Sequence, residues 1–308
     1  MSARSEKHSA PLRISHFYEW QFIGDPLLDA MLAEFADSGA TALTTATVWS
    51  NRILGEPGFA ATLRQKLAAH HLVMLDAHAP WSLPWDLDIE NDARRPHMIA
   101  GHRLCMSMLA DLGVRTYTMH IGAAPNYTNG GVHTDDLRRR SFETLEALLP
   151  TAESLDMIIA VENSFEPSNT PEEVLGCIRR FDSPHIACCL DIGHAHLMDA
   201  GAPRTPDQIQ PGIREGAWNR RIVLKSFAET VRLLAPYIVT CHVHDNDATG
   251  DQHLLPGDGN TDWPAYMAEL RQCPRLESLQ NETNACARGT SIAAGCRVFR
   301  ELAGLIRP

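Results

Sequence analysis

Short apolar runs rich in β-branched residues alternate with longer segments of helical periodicity along the chain. Such alternation is typical of parallel strands joined by crossover helices, that is, of repeated βα units. The pattern predicts eight strands, at Leu12–Phe17, Ala42–Val48, Leu72–His78, Thr116–Ile121, Met157–Asn163, Ile186–Ile192, Ile238–His244 and Ser278–Glu282.

The segments between the strands place apolar residues on one face of a helix. The clearest helix start is at Thr170, because Pro171 suits the first helical position and Glu173 stands at capping-box spacing. The predicted helices are Pro26–Asp37, Phe59–His70, Leu137–Leu155, Pro171–Arg180, Arg221–Leu234, Trp263–Arg271 and, after the last strand, Ile292–Leu305.

Two architectures accommodate strands that alternate with helices, a closed barrel and an open doubly wound sheet. No glycine-rich turn follows the first strand, so the dinucleotide-binding form of the open sheet has no support. A chain of 308 residues with eight units fits one barrel. We therefore predict an α/β fold, a single (β/α)8 TIM barrel over residues 11–308, preceded by a flexible leader at residues 1–10.

Composition favours a globular protein, with 44% hydrophobic and 21% charged residues. No stretch approaches the roughly 20 uninterrupted apolar residues of a membrane span, and the polar leader lacks the apolar centre of a signal peptide. Eight cysteines are too dilute for a disulfide scaffold and have no paired zinc-site spacing. We expect a cytoplasmic protein with no membrane partner and with buried, reduced thiols.

Net charge and the placement of the lysines argue against two further classes of function. The formal net charge of −11 argues against broad affinity for nucleic-acid backbones, which depends mainly on lysine and arginine. Lys7, Lys66 and Lys225 are the only lysines, and none follows a predicted strand. Schiff-base chemistry, which needs a lysine in the strand-end cavity of a barrel, is therefore not expected.

Residues of the types that bind metals stand at the ends of the third to the eighth predicted strands. The carboxyl ends of barrel strands converge on one cavity, so these side chains should meet there. A lone histidine is more often structural, but six consecutive strands with such ends indicate a divalent-metal site. The strand-end residues are Asp76, His78, His120, Glu162, Asp191, His194, His242, His244, Asp245 and Glu282, and Asp251 and His253 lie on the loop after the seventh strand.

The kinds of ligand limit the metal. Imidazole and carboxylate without thiolate suit zinc, manganese, iron or cobalt, and magnesium less well. His244 shares strand parity with His242 but lies one step further out, which leaves open whether it joins the ligands or contacts only the loop above. The histidines without strand-end placement are interpreted as surface or structural residues, and they are His102, His133, His185 and His196.

Seven short motifs together resemble those of the xylose isomerase-like TIM barrels, which include sugar isomerases, ketose epimerases and DNA-repair enzymes of the endonuclease IV type. They are HAP, HIG, VEN, DIGH, HVHDND, DQHLLPGDGNTDW and NET. The likeness extends from about Leu12 to the C-terminus, and its most specific part is the segment from Asp251 to Trp263.

The resemblance implies a set of metal ligands. One ion would be held by Glu162, Asp191, His242 and Glu282. The repair enzymes hold a trinuclear zinc cluster, and the additional positions correspond here to His78, His120, His194, Asp251 and His253. All of these positions are filled, so we expect a cofactor of one to three divalent ions, with Zn, Mn, Co and Mg as candidates.

The reaction that we place first is isomerisation or epimerisation of a sugar or sugar phosphate. A metal would stabilise an enediolate, while Glu162 and Glu282 serve as the base and the opposing acid. His194 and His120 would contact the substrate. Ketose epimerases carry an arginine shortly after the seventh-strand histidine, where this chain has Asp247-Ala-Thr-Gly. This departure argues against ketose epimerase activity in particular and leaves the broader isomerase class standing.

Two alternatives stay open. An endonuclease IV-like zinc phosphodiesterase acting on abasic DNA would use all nine ligands, but those enzymes have a glycine- and glutamine-rich loop where this chain has Ser164-Phe-Glu-Pro-Ser. A barrel that only binds a ligand would be expected to have lost a metal ligand or a base, and none is missing. We expect a carbohydrate as the partner, rather than nucleic acid, and a homo-oligomer is compatible with this type of barrel.

Four tryptophans follow predicted strands, namely Trp20, Trp49, Trp81 and Trp85. They predict either an apolar wall against a sugar ring or packing beneath a long loop, and the sequence does not decide between these. We assign Trp20 and Trp81 to the substrate wall.

Overall fold

The computed structural model describes residues 11–81, 84–89, 91–122, 134–216 and 224–307. Its eight parallel strands close into a barrel in chain order, and this confirms the predicted single (β/α)8 fold. The proposed leader, residues 1–10, lies outside the described residues. The strands are β1 Arg13–His16, β2 Ala42–Thr45, β3 Val73–His78, β4 Thr116–His120, β5 Ile158–Glu162, β6 Ile186–Asp191, β7 Ile238–Val243 and β8 Ser278–Asn281.

Strand register brings side chains of the candidate site together. His120 pairs with Glu162 across β4 and β5. Asp191 pairs with His242 across β6 and β7. Because paired residues in neighbouring strands point to the same face, these side chains enter the barrel mouth side by side.

Helices cover the outside of the barrel, and most of the predicted ones are present with shifted ends. The described helices of four or more residues are Asp25–Asp37, Thr47–Gly55, Phe59–Ala69, Arg95–Ala110, Thr134–Ser154, Pro171–Phe181, Ile192–Leu197, Pro211–Gly216, Phe227–Leu234, Trp263–Leu270, Ala285–Arg288 and Ile292–Ile306.

Two predicted elements extend three or more residues beyond the observed ones. The predicted strand Ala42–Val48 ends at Thr45, because the chain turns there into the helix Thr47–Gly55. Of the predicted helix Arg221–Leu234, residues 221–223 lie outside the described residues, and the described helix begins at Phe227, where Ser226 and Glu229 form a capping box. A capping box satisfies two orphan amides at a helix start, so this local signal outweighs the apolar periodicity further upstream.

The core lies between the outer face of the sheet and the helices, where a single large cluster of buried apolar residues surrounds the barrel. The inside of the barrel is largely polar. Thr240, Ser278 and Gln280 are hydrogen-bonded to one another there at 2.9 and 3.0 Å. Asp76 is also fully buried, and burial raises its pKa to about 6 although Thr116 and other neighbours act against this. The candidate site therefore lies above a floor of polar side chains.

All eight cysteines are free, and seven of them are buried, as expected for reduced thiols. Within the described part of the chain, no helix combines the length and apolar character required to cross a bilayer.

Thr170→Ala tests the predicted helix start. The Thr170 side chain accepts a hydrogen bond from the Glu173 amide at 3.4 Å, whereas the Glu173 carboxylate pairs with Arg138 instead of completing the capping box. Removing the acceptor should lower the free energy of unfolding by about 1 kcal/mol, measured by urea denaturation. Thr170→Ser is the matched control, and equal stability of the alanine variant and the wild type would rule out the cap.

Candidate metal centre

A cavity of about 310 Å³ opens at the carboxyl ends of the strands. Its walls contain most of the predicted ligands together with several neutral polar side chains. The lining residues that bear on function are His78, Trp81, His120, Glu162, Glu166, His194, His242, Asp251, His253 and Glu282.

The first group of possible ligands consists of His78, His120 and Glu162, whose ligand atoms lie within 4.8 Å of one another. His120 Nε2 is 3.1 Å from Glu162 Oε2, and His78 Nε2 is 3.7 Å from the same oxygen. The two imidazole nitrogens are 3.2 Å apart. One carboxylate oxygen thus faces two nitrogen donors.

The central group consists of Glu162, Asp191, His242 and Glu282, within the same 4.8 Å limit. His242 Nδ1 is 3.1 Å from Glu162 Oε1 and 3.2 Å from Glu282 Oε2. It is 3.9 Å from Asp191 Oδ2. Glu162 belongs to the first group through one oxygen and to the central group through the other, so its carboxylate lies between two possible ions.

The third group consists of His194, His244, Asp251 and His253. Asp251 Oδ2 is 3.4 Å from His194 Nε2, and Asp251 Oδ1 is 3.3 Å from His253 Nε2. The ring of His244 stacks on that of His253 with centroids 3.9 Å apart. A further combination, His78 with His242 and Glu282, overlaps the first two groups.

The structure decides the position of His244, which the sequence left open. This side chain is fully buried, and its Nε2 lies 3.3 Å from Asp191 Oδ2 and 3.8 Å from Asp251 Oδ1. It therefore connects the central and third groups and does not merely contact the loop. Room for its ring depends on Gly193, because a Cβ at that position would overlap the imidazole.

Local hydrogen bonds fix the ligands that follow β5 and β6. Asn163 accepts from the Asp191 amide at 2.8 Å and donates to the Asp191 carbonyl at 3.0 Å. Asp191 Oδ1 caps the helix Ile192–Leu197 by accepting from the His194 amide at 2.6 Å. The short turn between Asp191 and His194 thus places both side chains at the same end of β6.

Three imidazoles are held by the same kind of hydrogen bond at Nδ1. The Nδ1 atoms of His78, His194 and His253 lie 2.8, 3.0 and 2.7 Å from backbone carbonyl oxygens. With Nδ1–H donating to a carbonyl, Nε2 is the nitrogen that faces the partner carboxylates, and it can offer a lone pair to a cation once its proton has left. This is the arrangement in which metal-binding histidines are usually held.

The acidic and basic groups shift each other's pKa values strongly. Burial alone would lower the pKa of His120, but the Glu162 carboxylate outweighs burial and raises it to about 9. Burial likewise opposes protonation of His253, and Asp251 raises its pKa to about 10. Burial would raise the pKa of Asp251, but His253 and His194 hold it well below its usual range. The buried carboxylates are therefore anions that require positive charge beside them.

The residues fit a divalent cation. Glu162 Oε2 and Asp251 Oδ1 are buried and accept no hydrogen bond, although each faces histidine nitrogens. Oxygen and imidazole nitrogen donors that converge without thiolate suit Zn²⁺, Mn²⁺ or Co²⁺. Each of the three groups provides at least three such donors.

The tryptophans separate into a wall residue and packing residues. Trp81 lines the cavity, is 53% exposed and stacks on His120 with centroids 6.0 Å apart. Trp20 is buried and stacks on Trp49 at 4.2 Å, and it is not among the residues that line the cavity, which corrects its assignment to the substrate wall. The side chain of Trp85 packs against His102.

The structural assignment of the other histidines holds for two of them. His102 is buried between the Tyr117 hydroxyl and the Trp85 carbonyl, both at 2.9 Å. His196 is also buried, beside the Tyr266 hydroxyl. His185 is half-buried, and its Nδ1 lies 3.0 Å from the Met157 carbonyl oxygen. His133 lies outside the described residues.

Sequence reasoning missed the cavity residue Glu166. Its carboxylate is 8% exposed and accepts from Asn169 Nδ2 at 3.1 Å, and it contributes to the raised pKa of His120. The available signal was its place four residues after Glu162, on a loop that leaves the barrel mouth. Thr45, at the end of β2, also lines the cavity and was missed because a threonine in a strand carries no distinctive signal.

The barrel and its strand-end ligands define a (β/α)8 protein with a candidate metal centre. The family model of the xylose isomerase-like TIM barrel matches residues 32–300, and the chain belongs to this family. An uncharacterised protein of Methanocaldococcus jannaschii is 24% identical over 213 residues, a match that spans 67% of this chain and 63% of that protein.

Solved structures share the fold at low sequence identity. A D-tagatose 3-epimerase-like protein is 19% identical with a TM-score of 0.68, covering 88% of this chain and 91% of its own. D-psicose 3-epimerase crystallised with D-fructose is 13% identical with a TM-score of 0.69, covering 96% and 100%. The IolI protein with a bound zinc atom is 15% identical with a TM-score of 0.70, covering 96% and 98%.

Cation binding should release protons. With pKa values of about 9 and about 10 in the metal-free protein, His120 and His253 are protonated at neutral pH, and a cation has to displace those protons. Affinity for Zn²⁺ should therefore fall as the pH is lowered. Titration calorimetry in two buffers of different ionisation enthalpy measures the number of protons released, and zero release with pH-independent affinity would exclude these histidines as ligands.

Proposed function

We propose that the protein is a divalent-metal-dependent isomerase or epimerase of a small carbohydrate, working by proton transfer next to a carbonyl group. The observation that carries the proposal is the position of Glu162 and Glu282, whose carboxylates lie 3.1 and 3.2 Å from the same nitrogen of His242 at the cavity floor. Fold neighbours named as epimerases of tagatose and psicose support the choice of substrate class.

The two glutamates would act as base and acid. Burial alone would raise the pKa of Glu162, but His242 and His120 hold it well below its usual range, and His242 does the same for Glu282. Both are therefore ionised at neutral pH, so one can accept the carbon-bound proton, and the opposing one acts as the acid after it has taken a proton from solvent. Glu282 is the more accessible, with 16% of its side chain exposed against 1% for Glu162.

The proposed cation sites are the three ligand groups. The central group contains both glutamates. A divalent cation bound there would stabilise the negative charge that develops on substrate oxygens as the proton leaves. The chain itself binds and orients the substrate. Where the first and third groups hold no ion, His120 and His194 would donate hydrogen bonds to its oxygens, and Trp81 would pack against its apolar face.

A neutral wall supports a polyhydroxylated substrate. Thr45, Ser164 and Asn284 line the cavity beside the candidate ligands, and the Thr45 hydroxyl is buried without a hydrogen bond. Hydroxyl and amide groups are the partners that sugar hydroxyls require in a site that excludes water. None of the described residues that line the cavity is a lysine or arginine.

Phosphodiester hydrolysis is the second candidate. It is favoured by the three ligand groups together, because clusters of metal ions activate water and clamp a phosphate in such enzymes. The net charge of −11 and a described cavity lining free of basic side chains count against a nucleic-acid substrate. Cleavage of an abasic-site duplex by the zinc-loaded protein, without proton exchange in any ketose, would decide for hydrolysis.

Glu162→Gln should lower turnover by about 10²- to 10⁴-fold while the fold is retained, because the amide cannot accept the proton. Turnover is measured as metal-dependent exchange of deuterium from solvent into a ketose, at the carbon beside the carbonyl. Glu19→Gln is the matched control, since Glu19 is a buried carboxylate on the same barrel face whose Oε2 accepts from the backbone amides of Cys286 and Ala287. Full exchange activity in Glu162→Gln would remove this residue from the mechanism.

Trp81→Ala should raise KM by about three- to tenfold with little change in kcat, because the stacking surface binds the ground state and the transition state alike. Steady-state kinetics on the same ketose measure both constants. Trp81→Phe preserves an aromatic face and should stay near the wild type, and an unchanged KM in the alanine variant would mean that Trp81 makes no contact with substrate.

A further inference from the structure

Asp245 directly follows the seventh-strand histidines and is fully buried, but it is a member of none of the ligand groups. Its carboxylate accepts six hydrogen bonds. At Oδ1 the donors are Asn246 N at 2.9 Å, Thr261 N at 3.3 Å and Thr261 Oγ1 at 2.6 Å, and at Oδ2 they are Gly257 N at 2.8 Å, Gly259 N at 3.1 Å and Trp263 Nε1 at 2.9 Å.

All of these donors belong to residues 246–263, which we call the ligand loop because it carries Asp251 and His253. The backbone of Asp245 also pairs with Leu254, by N–H to carbonyl bonds of 2.8 Å in each direction. Asp245 therefore contacts the loop near its start, in its middle and at its end. The amides of such a loop have no partners in a regular helix or sheet. The buried Asp245 carboxylate supplies acceptors for several of them.

The conformation held in this way is demanding. His253 has a φ of +48°, a left-handed conformation that residues with a Cβ seldom adopt. A Cβ at Gly259 would overlap the Asp245 carboxylate. The backbone at Gly259 therefore lies closer to this carboxylate than a residue with a side chain would allow. Unfavourable backbone conformations persist only where the surroundings enforce them, and they concentrate at functional sites.

The strained residue is also a ligand. His253 Nδ1 lies 2.7 Å from the Glu282 carbonyl oxygen, and its Nε2 lies 3.3 Å from Asp251 Oδ1. His194 and His244, the other members of the third group, lie on or next to strands β6 and β7. The distances from Asp251 and His253 to these two histidines therefore depend on the conformation of the ligand loop.

We propose that Asp245 is the positioning residue of the third cation site. By folding the ligand loop, its carboxylate sets Asp251 and His253 at binding distance from His194 and His244. The central group has no ligand on the loop and should not depend on Asp245. This role would be the same whichever reaction the centre carries out, and no part of it requires a carbohydrate substrate.

Asp245→Asn tests this role with almost no change of shape. The amide nitrogen would face N–H donors in place of an acceptor oxygen, so up to three of the six hydrogen bonds would be lost. Affinity for the third ion should fall by about 10- to 100-fold, the usual effect of removing a group that orients metal ligands. Affinity at the central group should stay unchanged. Metal-free protein is titrated with Zn²⁺, and bound ions per chain are counted by elemental analysis after gel filtration.

Three further variants make the outcome decisive. Asp251→Asn removes a ligand directly and should lose the same ion as Asp245→Asn. Glu19→Gln changes a buried carboxylate on the same barrel face that accepts backbone hydrogen bonds from the helix Ala285–Arg288, and it should keep every ion. Thr261→Val removes one side-chain donor to Asp245 and should weaken the third ion to a smaller extent, so it decides the matter if Asp245→Asn fails to fold.

Wild-type affinity for the third ion in Asp245→Asn, or in Thr261→Val when the first variant is unfolded, would overturn the proposal. Equal loss of ions in Asp245→Asn and Glu19→Gln would also overturn it, because the effect would then be general destabilisation. A wild-type protein that binds no ion at the third group would do the same.

Discussion

The structure depends on the burial of like charges at the mouth of the barrel. Glu162, Asp191, Asp251 and Glu282 lie within a few ångströms of their neighbours, and the first two are almost completely inaccessible to solvent. Carboxylates gathered in this way repel each other and lose hydration, which destabilises the folded state unless positive charge is placed beside them. Interleaved imidazoles reduce the cost by taking up protons, and divalent ions would remove it. The chemistry of the site follows from the need for positive charge at this position.

Much of this site could be predicted from the sequence because barrel geometry converts chain position into spatial position. Once β3 to β8 are located, the residues at their carboxyl ends must share a cavity, however far apart they are in the chain. Glu162 and Glu282 are separated by 120 positions and still face the same imidazole nitrogen. The fold itself was predictable for a related reason, since eight short runs rich in apolar and β-branched residues alternate with helical segments, as repeated βα units require.

The parts that could not be predicted depend on side-chain packing and on loops. Trp20 and Trp81 both follow strands, yet one stacks on Trp49 in the core and the other stands exposed beside His120. Strand parity alone left His244 undecided, because its contact with Asp191 requires the absence of a Cβ at Gly193. Such outcomes are settled by close contacts between residues from different units, for which the sequence carries no periodic signal.

The shared carboxylate of Glu162 has a consequence for how the centre fills. One oxygen faces the first group and the other faces the central group, and the strand pairing of His120 with Glu162 sets the spacing between them. An ion in either group would draw electron density from the Glu162 carboxylate. It would also fix the Glu162 rotamer in which the second oxygen faces the other group. An ion in one group should therefore help the second ion by fixing the position of Glu162. It should also weaken the second ion, because both draw on the charge of one carboxylate. That balance makes the number of ions held a function of metal supply as well as of the residues present.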